Sequence, residues 1–145
     1  MEGVFKSFIN GQNRWYINAS YSEGKNLTEH KQLTVGELQD IRGYPLAYER
    51  GNKRYILNFE RRFYSKLHWF NLIRVGAVVF VDIGKAWGAE SFEESSHLRS
   101  AGVGLRLNSS KTGNPAVLHL NIGVPLTNDD TLDSYLVSLS MESTF

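Results

Sequence analysis

The sequence predicts an all-β fold, built as an antiparallel meander. Three observations carry this. Apolar and polar residues alternate with period two along most of the 145 residues, and helical periodicity is weak. Aromatic residues make up 12% of the chain and glycines number 13, which together suit strands separated by many turns. The connections between alternating segments are short and long in turn, so one rim of the sheet carries turns and the other carries loops.

The elements follow in order. Val4 to Ile9 is a short apolar run before Asn10-Gly11, a tight-turn dipeptide. Arg14 to Tyr21 alternates, with Trp15, Ile17, Ala19 and Tyr21 on one side and Tyr16, Asn18 and Ser20 on the other. Ser22 to Gly51 is polar and irregular, and it holds Gly36, Arg42, Gly43 and Pro45. A segment of that length without structure is usually functional or disordered. In the strand Arg54 to Tyr64, Tyr55, Leu57, Phe59, Arg61 and Phe63 oppose Asn58, Glu60 and Arg62. Ser65 to Asn71 is expected to be a short connection.

Leu72 to Gly84 is the clearest strand. Ile73, Val75, Ala77, Val79, Val81 and Ile83 form a wholly apolar face opposite Arg74, Gly76, Val78, Phe80, Asp82 and Gly84. A loop from Lys85 to Ser96 carries Glu90, Glu93 and Glu94. His97 to Asn108 alternates again, and Ser109 to Asn114 is a polar turn. Ala116 to Leu126 sets six apolar residues against Val117, His119, Asn121, Gly123 and Pro125. Thr127 to Asp133 is acidic. In the last segment Tyr135, Val137, Leu139, Met141 and Phe145 share one face. Six strands and the end of a seventh are expected.

Composition narrows the function. The net charge of +1 gives no overall field directed at nucleic acid or an acidic partner. The absence of cysteine excludes disulfides and thiolate metal sites. His30, His68, His97 and His119 lack metal-ligand spacing, and there is no Gly-x-Ser-x-Gly or phosphate-loop motif. Neither enzymatic activity nor a cofactor is expected. The start, Met1-Glu2-Gly3-Val4, lacks the basic and apolar regions of a signal peptide. No run of 18 apolar residues exists. A mean hydropathy of −0.32 fits a soluble protein, and it equally fits a transmembrane barrel, whose lipid-facing and lumenal residues average out.

Alternation alone does not say which face meets water. A soluble barrel turns its apolar face inward, and a transmembrane barrel turns it outward to lipid. Three details favour the second arrangement. The apolar faces are nearly free of charge over several consecutive strands. The opposite faces are rich in glycine, asparagine and arginine. Aromatics gather near strand ends at Trp15, Tyr21, Tyr55, Phe63, Trp69, Tyr135 and Phe145, as an interfacial girdle would. The alternatives are a soluble β-barrel that binds a small ligand, or a passive outer-membrane porin, which would tolerate loss of Arg42. On the transmembrane arrangement, Glu60 and Asp82 both face inward.

Four motifs in order then resemble a known family. Val35-Gly36-Glu37-Leu38-Gln39-Asp40-Ile41-Arg42-Gly43-Tyr44 matches its glycine, spacer and Val/Leu-Arg-Gly-Tyr/Phe loop. Asn58-Phe59-Glu60-Arg61-Arg62 matches an asparagine and glutamate strand, and Phe80-Val81-Asp82-Ile83-Gly84 a Phe-x-Asp-x-Gly strand. Ser100-Ala101-Gly102-Val103-Gly104-Leu105-Arg106 matches a glycine-rich strand, and the chain ends on an aromatic. From Leu33 to Phe145 the sequence resembles the C-terminal barrel region of the outer-membrane assembly and translocation superfamily. That superfamily contains the BamA-like insertases, the TamA-like factors and the two-partner-secretion transporters, and is also labelled the bacterial surface antigen family.

The resemblance implies the last two-fifths of a 16-stranded transmembrane β-barrel. The N-terminal strands and the periplasmic POTRA domains would lie outside this sequence. It implies a lumenal loop latch of Arg42, Gly43, Tyr44, Glu60, Phe80 and Asp82. In it Arg42 pairs with Asp82 near Glu60, and Phe80 and Tyr44 pack around them. It implies a C-terminal sorting signal of Tyr135, Val137, Leu139, Met141 and Phe145. The implied place is the outer membrane of a Gram-negative bacterium. The implied partners are outer-membrane lipid, unfolded β-barrel or secreted client proteins and the missing N-terminal strands, with self-association through open sheet edges and no nucleic acid.

Overall fold

A computed structural model of the chain describes residues 3–8, 13–24, 32–36, 40–69, 73–88, 96–109, 116–127 and 132–143. It is all-β, with no helix among these residues. The strands are β1 (Gly3–Phe8), β2 (Asn13–Glu23), β3 (Leu33–Val35), β4 (Glu49–Gly51), β5 (Lys53–Trp69), β6 (Ile73–Trp87), β7 (Leu98–Ser109), β8 (Ala116–Pro125) and β9 (Leu136–Ser143). Seven of them form one antiparallel sheet in the order β1-β2-β5-β6-β7-β8-β9, and β3 pairs with β4 as a separate hairpin. Among the described residues no ladder joins β1 to β9, so both edges of the sheet are open.

Register follows alternation. Tyr16 faces Glu60, Glu60 faces Phe80 and Phe80 faces Gly102, and in the next row Asn18 faces Asn58, Asn58 faces Asp82 and Asp82 faces Ser100. Each row stays on one face because side chains repeat every two residues.

Three sequence expectations change. The irregular segment from Ser22 to Gly51 contains the β3–β4 hairpin, whose three-residue strands are too short to show a period. Ser65 to Trp69, expected as connection, continues β5 past an irregularity in register between Tyr64 and His68. The two extra residues on β5 there keep the parity of its side chains, and it is the polar Ser65-Lys66 pair that reads as a turn. At the other rim β6 runs on through Trp87. Phe145, Glu90, Glu93 and Glu94 lie outside the described residues.

The faces are unlike those of a soluble sheet. Val79, Val81, Val103, Leu105, Ile122, Val124, Val137, Leu139 and Met141 are exposed. The buried face carries Asn58, Glu60, Asp82, Ser100, Arg106, Asn121 and Ser138. What covers the loop-side half of that polar face is the segment around Arg42. Its apolar residues Val35, Ile41 and Tyr44 pack with Ala86 and Leu98, and Tyr48 and Leu132 lie against them.

Candidate functional site

The loop between β3 and β4 places Arg42 over the centre of the polar face. Its guanidinium donates through Nε to Asp82 Oδ2 and through Nη2 to Asp82 Oδ1, both at 2.7 Å. Its Nη1 donates to Glu60 Oε1 at 2.5 Å. The planar arginine fork is thus spent on two carboxylates, with the two-point contact on Asp82. The ring of Phe80 lies 3.6 Å from the Arg42 guanidinium carbon, so its face carries the cation from the strand side.

Asp82 is 0% exposed, and Arg42 and Glu60 are 5% exposed. Carboxylates held so far from water need several donors. Asp82 also accepts from the Arg42 backbone N–H at 3.2 Å and from Asn58 Nδ2 at 2.9 Å. Glu60 also accepts from Arg62 Nε at 2.7 Å. Burial by itself would lower the Arg42 pKa. Hydrogen bonding and charge from Asp82, then Glu60, outweigh it and hold the guanidinium above its ordinary value.

Glycine decides how close the loop can come. Gly43 has φ of +96°, a conformation that side chains resist. It lies against the backbone of Gly123 on β8. A Cβ at Gly123 would fall 2.7 Å from the Gly43 amide nitrogen and 2.8 Å from the Arg42 carbonyl carbon. Two backbones therefore touch with no side chain between them. Likewise Ile41 occupies the space a side chain at Gly84 would need, and Phe80 occupies that of Gly102.

Of the six residues assigned to the latch, the structure brings Arg42, Glu60, Phe80 and Asp82 into one contact group and sets Gly43 beside it. Tyr44 is a correction: it does not pack around the ion group. Its ring lies in the apolar cluster with Val35, Ile41, Ala86 and Leu98. Its hydroxyl donates to the Arg99 carbonyl at 2.8 Å and lies 2.7 Å from Thr127 Oγ1. The reason is steric. The turn at Gly43 sends the next side chain toward the loop rim, and Phe80 already fills the space beside Arg42. Tyr44→Phe is expected to lower unfolding stability by about 0.5–1.5 kcal/mol, read from urea midpoints, because it removes only that hydroxyl.

Sequence reading missed several participants. Asn58 ties the loop to the sheet through Asp40 O at 2.6 Å as well as through Asp82. Arg106 Nη1 donates to Asn121 Oδ1 at 2.6 Å and Nη2 lies 3.9 Å from Glu60 Oε1. Gly84, Gly102 and Gly123 form the cradle. Their signal was present, since glycines that recur on one face of successive strands mark a place where something packs closely.

Val137, Leu139 and Met141 of the expected sorting signal lie on the exposed face of β9. Tyr135 is exposed just before that strand, and Phe145 is outside the described residues. Among the described residues no group of three or more His, Asp or Glu side chains is placed to hold a metal ion. No family model, no curated protein and no solved structure matches the chain.

Proposed function

We propose that this chain is the C-terminal part of a larger outer-membrane β-barrel, of the 16-stranded assembly and translocation type. In it the Arg42 loop is an interior latch, and the barrel assists insertion or secretion of β-rich client proteins without a cofactor. One observation carries the reading. The apolar face of the sheet is the exposed one, and the polar face is covered by a loop pinned through a buried arginine. Water does not leave a sheet in that sense, and a bilayer does.

Two further features fit a bilayer. Tyr21, Tyr55 and Trp87 meet at the loop rim, with ring centroids 6.3 and 6.0 Å apart. Toward the turn rim, Arg61 stacks 4.5 Å over Trp15 and 5.6 Å from Phe63. Tyr55 and Phe63 lie about 27 Å apart along β5, or about 20 Å across a membrane at a tilt of about 40°. That is close to the apolar band of such barrels. Arg61 sits at the turn-side edge of the band and Lys85 and Arg99 lie on the same face toward the loop rim, where such charges cost little. The open edges at β1 and β9 are completed by further strands of the barrel, because an unpaired edge is not tolerated in lipid.

The test uses a charge on the outer face. Val103 is 54% exposed and central on β7. Val103→Arg is expected to cost about 2–4 kcal/mol of stability when the protein is folded in lipid vesicles. In a sheet whose outer face meets water the same change costs within about 0.5 kcal/mol. A chain that stays monodisperse and folded in buffer without detergent overturns the proposal.

A further inference from the structure

A net charge of +1 conceals a local gathering of arginine on the sheet. On the polar face, the half toward the short turns carries Arg14, Arg62, Arg74 and Arg106. Arg14 and Arg62 are direct cross-strand partners, a like-charge pairing that sheets normally avoid. Glu60 and Asp82, at the upper border of this half, are bound by Arg42, with Arg62 also donating to Glu60, and Glu142 stands on the same face by its register with Val117. At the other rim Glu23, Asp40, Glu49 and Asp133 stand among Arg50, Lys53, Arg54, Lys85 and Arg99, and Lys53 and Arg54 are paired with Glu23 and Asp40, so the charges there are mixed.

The basic half is built as well as charged. Arg14 lies 5.5 Å from the Tyr64 ring centroid and Arg62 lies 4.5 Å from that of Tyr16, so both guanidinium planes are propped on aromatic rings. Gly76, itself buried, lies between Tyr64 and Arg106. Arg106 is 5% exposed, and its Nε has no hydrogen-bond partner among the described residues. A buried donor without an acceptor, in a field of like charge, is a place where an anionic group gains most.

We infer that the turn-side half of the polar face, around Arg14, Arg62, Arg74 and Arg106, receives an acidic polypeptide segment in extended conformation. Carboxylates spaced along such a segment match planar guanidinium forks two-point to two-point. At the loop rim carboxylates and cations are paired, so the arginines of the turn-side half are what favour engagement from that side. The inference rests on the proposed function insofar as the segment belongs to a client protein, and it narrows that client to an acidic stretch.

The experiment titrates the full folded chain with a fluorescent peptide of alternating Glu and Thr. Parallel titrations use the Gln and Lys versions of the peptide, inorganic phosphate and phosphatidylglycerol vesicles. The Glu peptide is expected to bind about tenfold more tightly than the Gln peptide at low salt, and to lose about tenfold in affinity by 0.3 M salt. Arg14→Glu with Arg74→Glu is expected to shift the preference to the Lys peptide, while the Arg42 group, which these residues do not touch, keeps the fold. Equal binding of the Glu and Gln peptides overturns the inference. So does a Glu peptide bound no better than phosphate, or binding of the phosphatidylglycerol surface alone. The wild-type salt series decides independently if the double variant fails to fold. A chain that shuns lipid yet binds the Glu peptide in buffer refutes the membrane reading and leaves this one standing. A chain that enters lipid and ignores the peptide does the reverse.

Discussion

Arg42→Met is expected to destabilise the protein by about 3–5 kcal/mol, the largest effect of any single change in the chain. The cause is what remains behind. Asp82 is 0% exposed and loses both side-chain donors that Arg42 gives it, together with the neighbouring positive charge. Asn58 and a backbone N–H then remain to satisfy a fully buried carboxylate. Glu60 is better protected, because Arg62 Nε still donates to it and Arg106 lies nearby. Glu60→Gln is therefore expected to cost less than Asp82→Asn.

Arg42→Lys separates charge from geometry. It keeps the cation but gives up the two-point contact on Asp82 and the flat stack on Phe80, so it falls between wild type and Arg42→Met. The charge exchange Arg42→Glu with Asp82→Arg tests direct pairing. Denaturant midpoints of the two singles and the double give the coupling, expected to be at least about 1 kcal/mol in favour of the double. A double variant no more stable than its worse single removes direct pairing as the basis of the latch.

Gly123→Ala is expected to cost about 1–3 kcal/mol, although the change is normally favourable in a strand. The added methyl would lie within 3.0 Å of the Arg42 carbonyl group and the Gly43 nitrogen, all of them backbone atoms that cannot swing aside. The loop has to lift, and lifting it lengthens every bond from Arg42 to Asp82 and Glu60. The sign of the effect is the sharper test. In a chain whose segment 25–48 is replaced by a short glycine-serine linker, the obstacle is gone. Gly123→Ala is then expected to stabilise by about 0.5–1 kcal/mol. A loss of the same size in both backgrounds means that the glycine serves the strand and not the loop.

Much of the fold is legible in the sequence because strand alternation is a local property of the backbone. Ile73 to Ile83 names its apolar face, and no tertiary contact is needed to read it. Reading fails where the local signal is cut short. The β3–β4 hairpin has three residues per strand, and β5 beyond Tyr64 opens with the polar pair Ser65-Lys66, which reads as a turn.

The site divides along the same line. Glu60 and Asp82 could be picked out because alternation sets them on inward faces poor in carboxylates, and Arg42 because its motif resembles a known loop. Tyr44 was placed wrongly, since the direction of a side chain after a glycine of positive φ is set by the turn, which the sequence does not state. Arg106 and Asn58 stand in matched motifs without an assigned contact, and their roles come from rows of neighbours three strands wide.

The sequence by itself determined the strands, the composition of their two faces and the residue types able to form an ion group. Tertiary structure alone decided how closely the Arg42 loop approaches the sheet and where Tyr44 goes. It also decided which glycines let two backbones touch, and that the arginines of four strands gather at one end while the net charge stays near zero. The physical reason is range. Alternation is written between neighbours two residues apart, whereas the loop path and the rows across the sheet depend on contacts between segments separated by up to 83 residues.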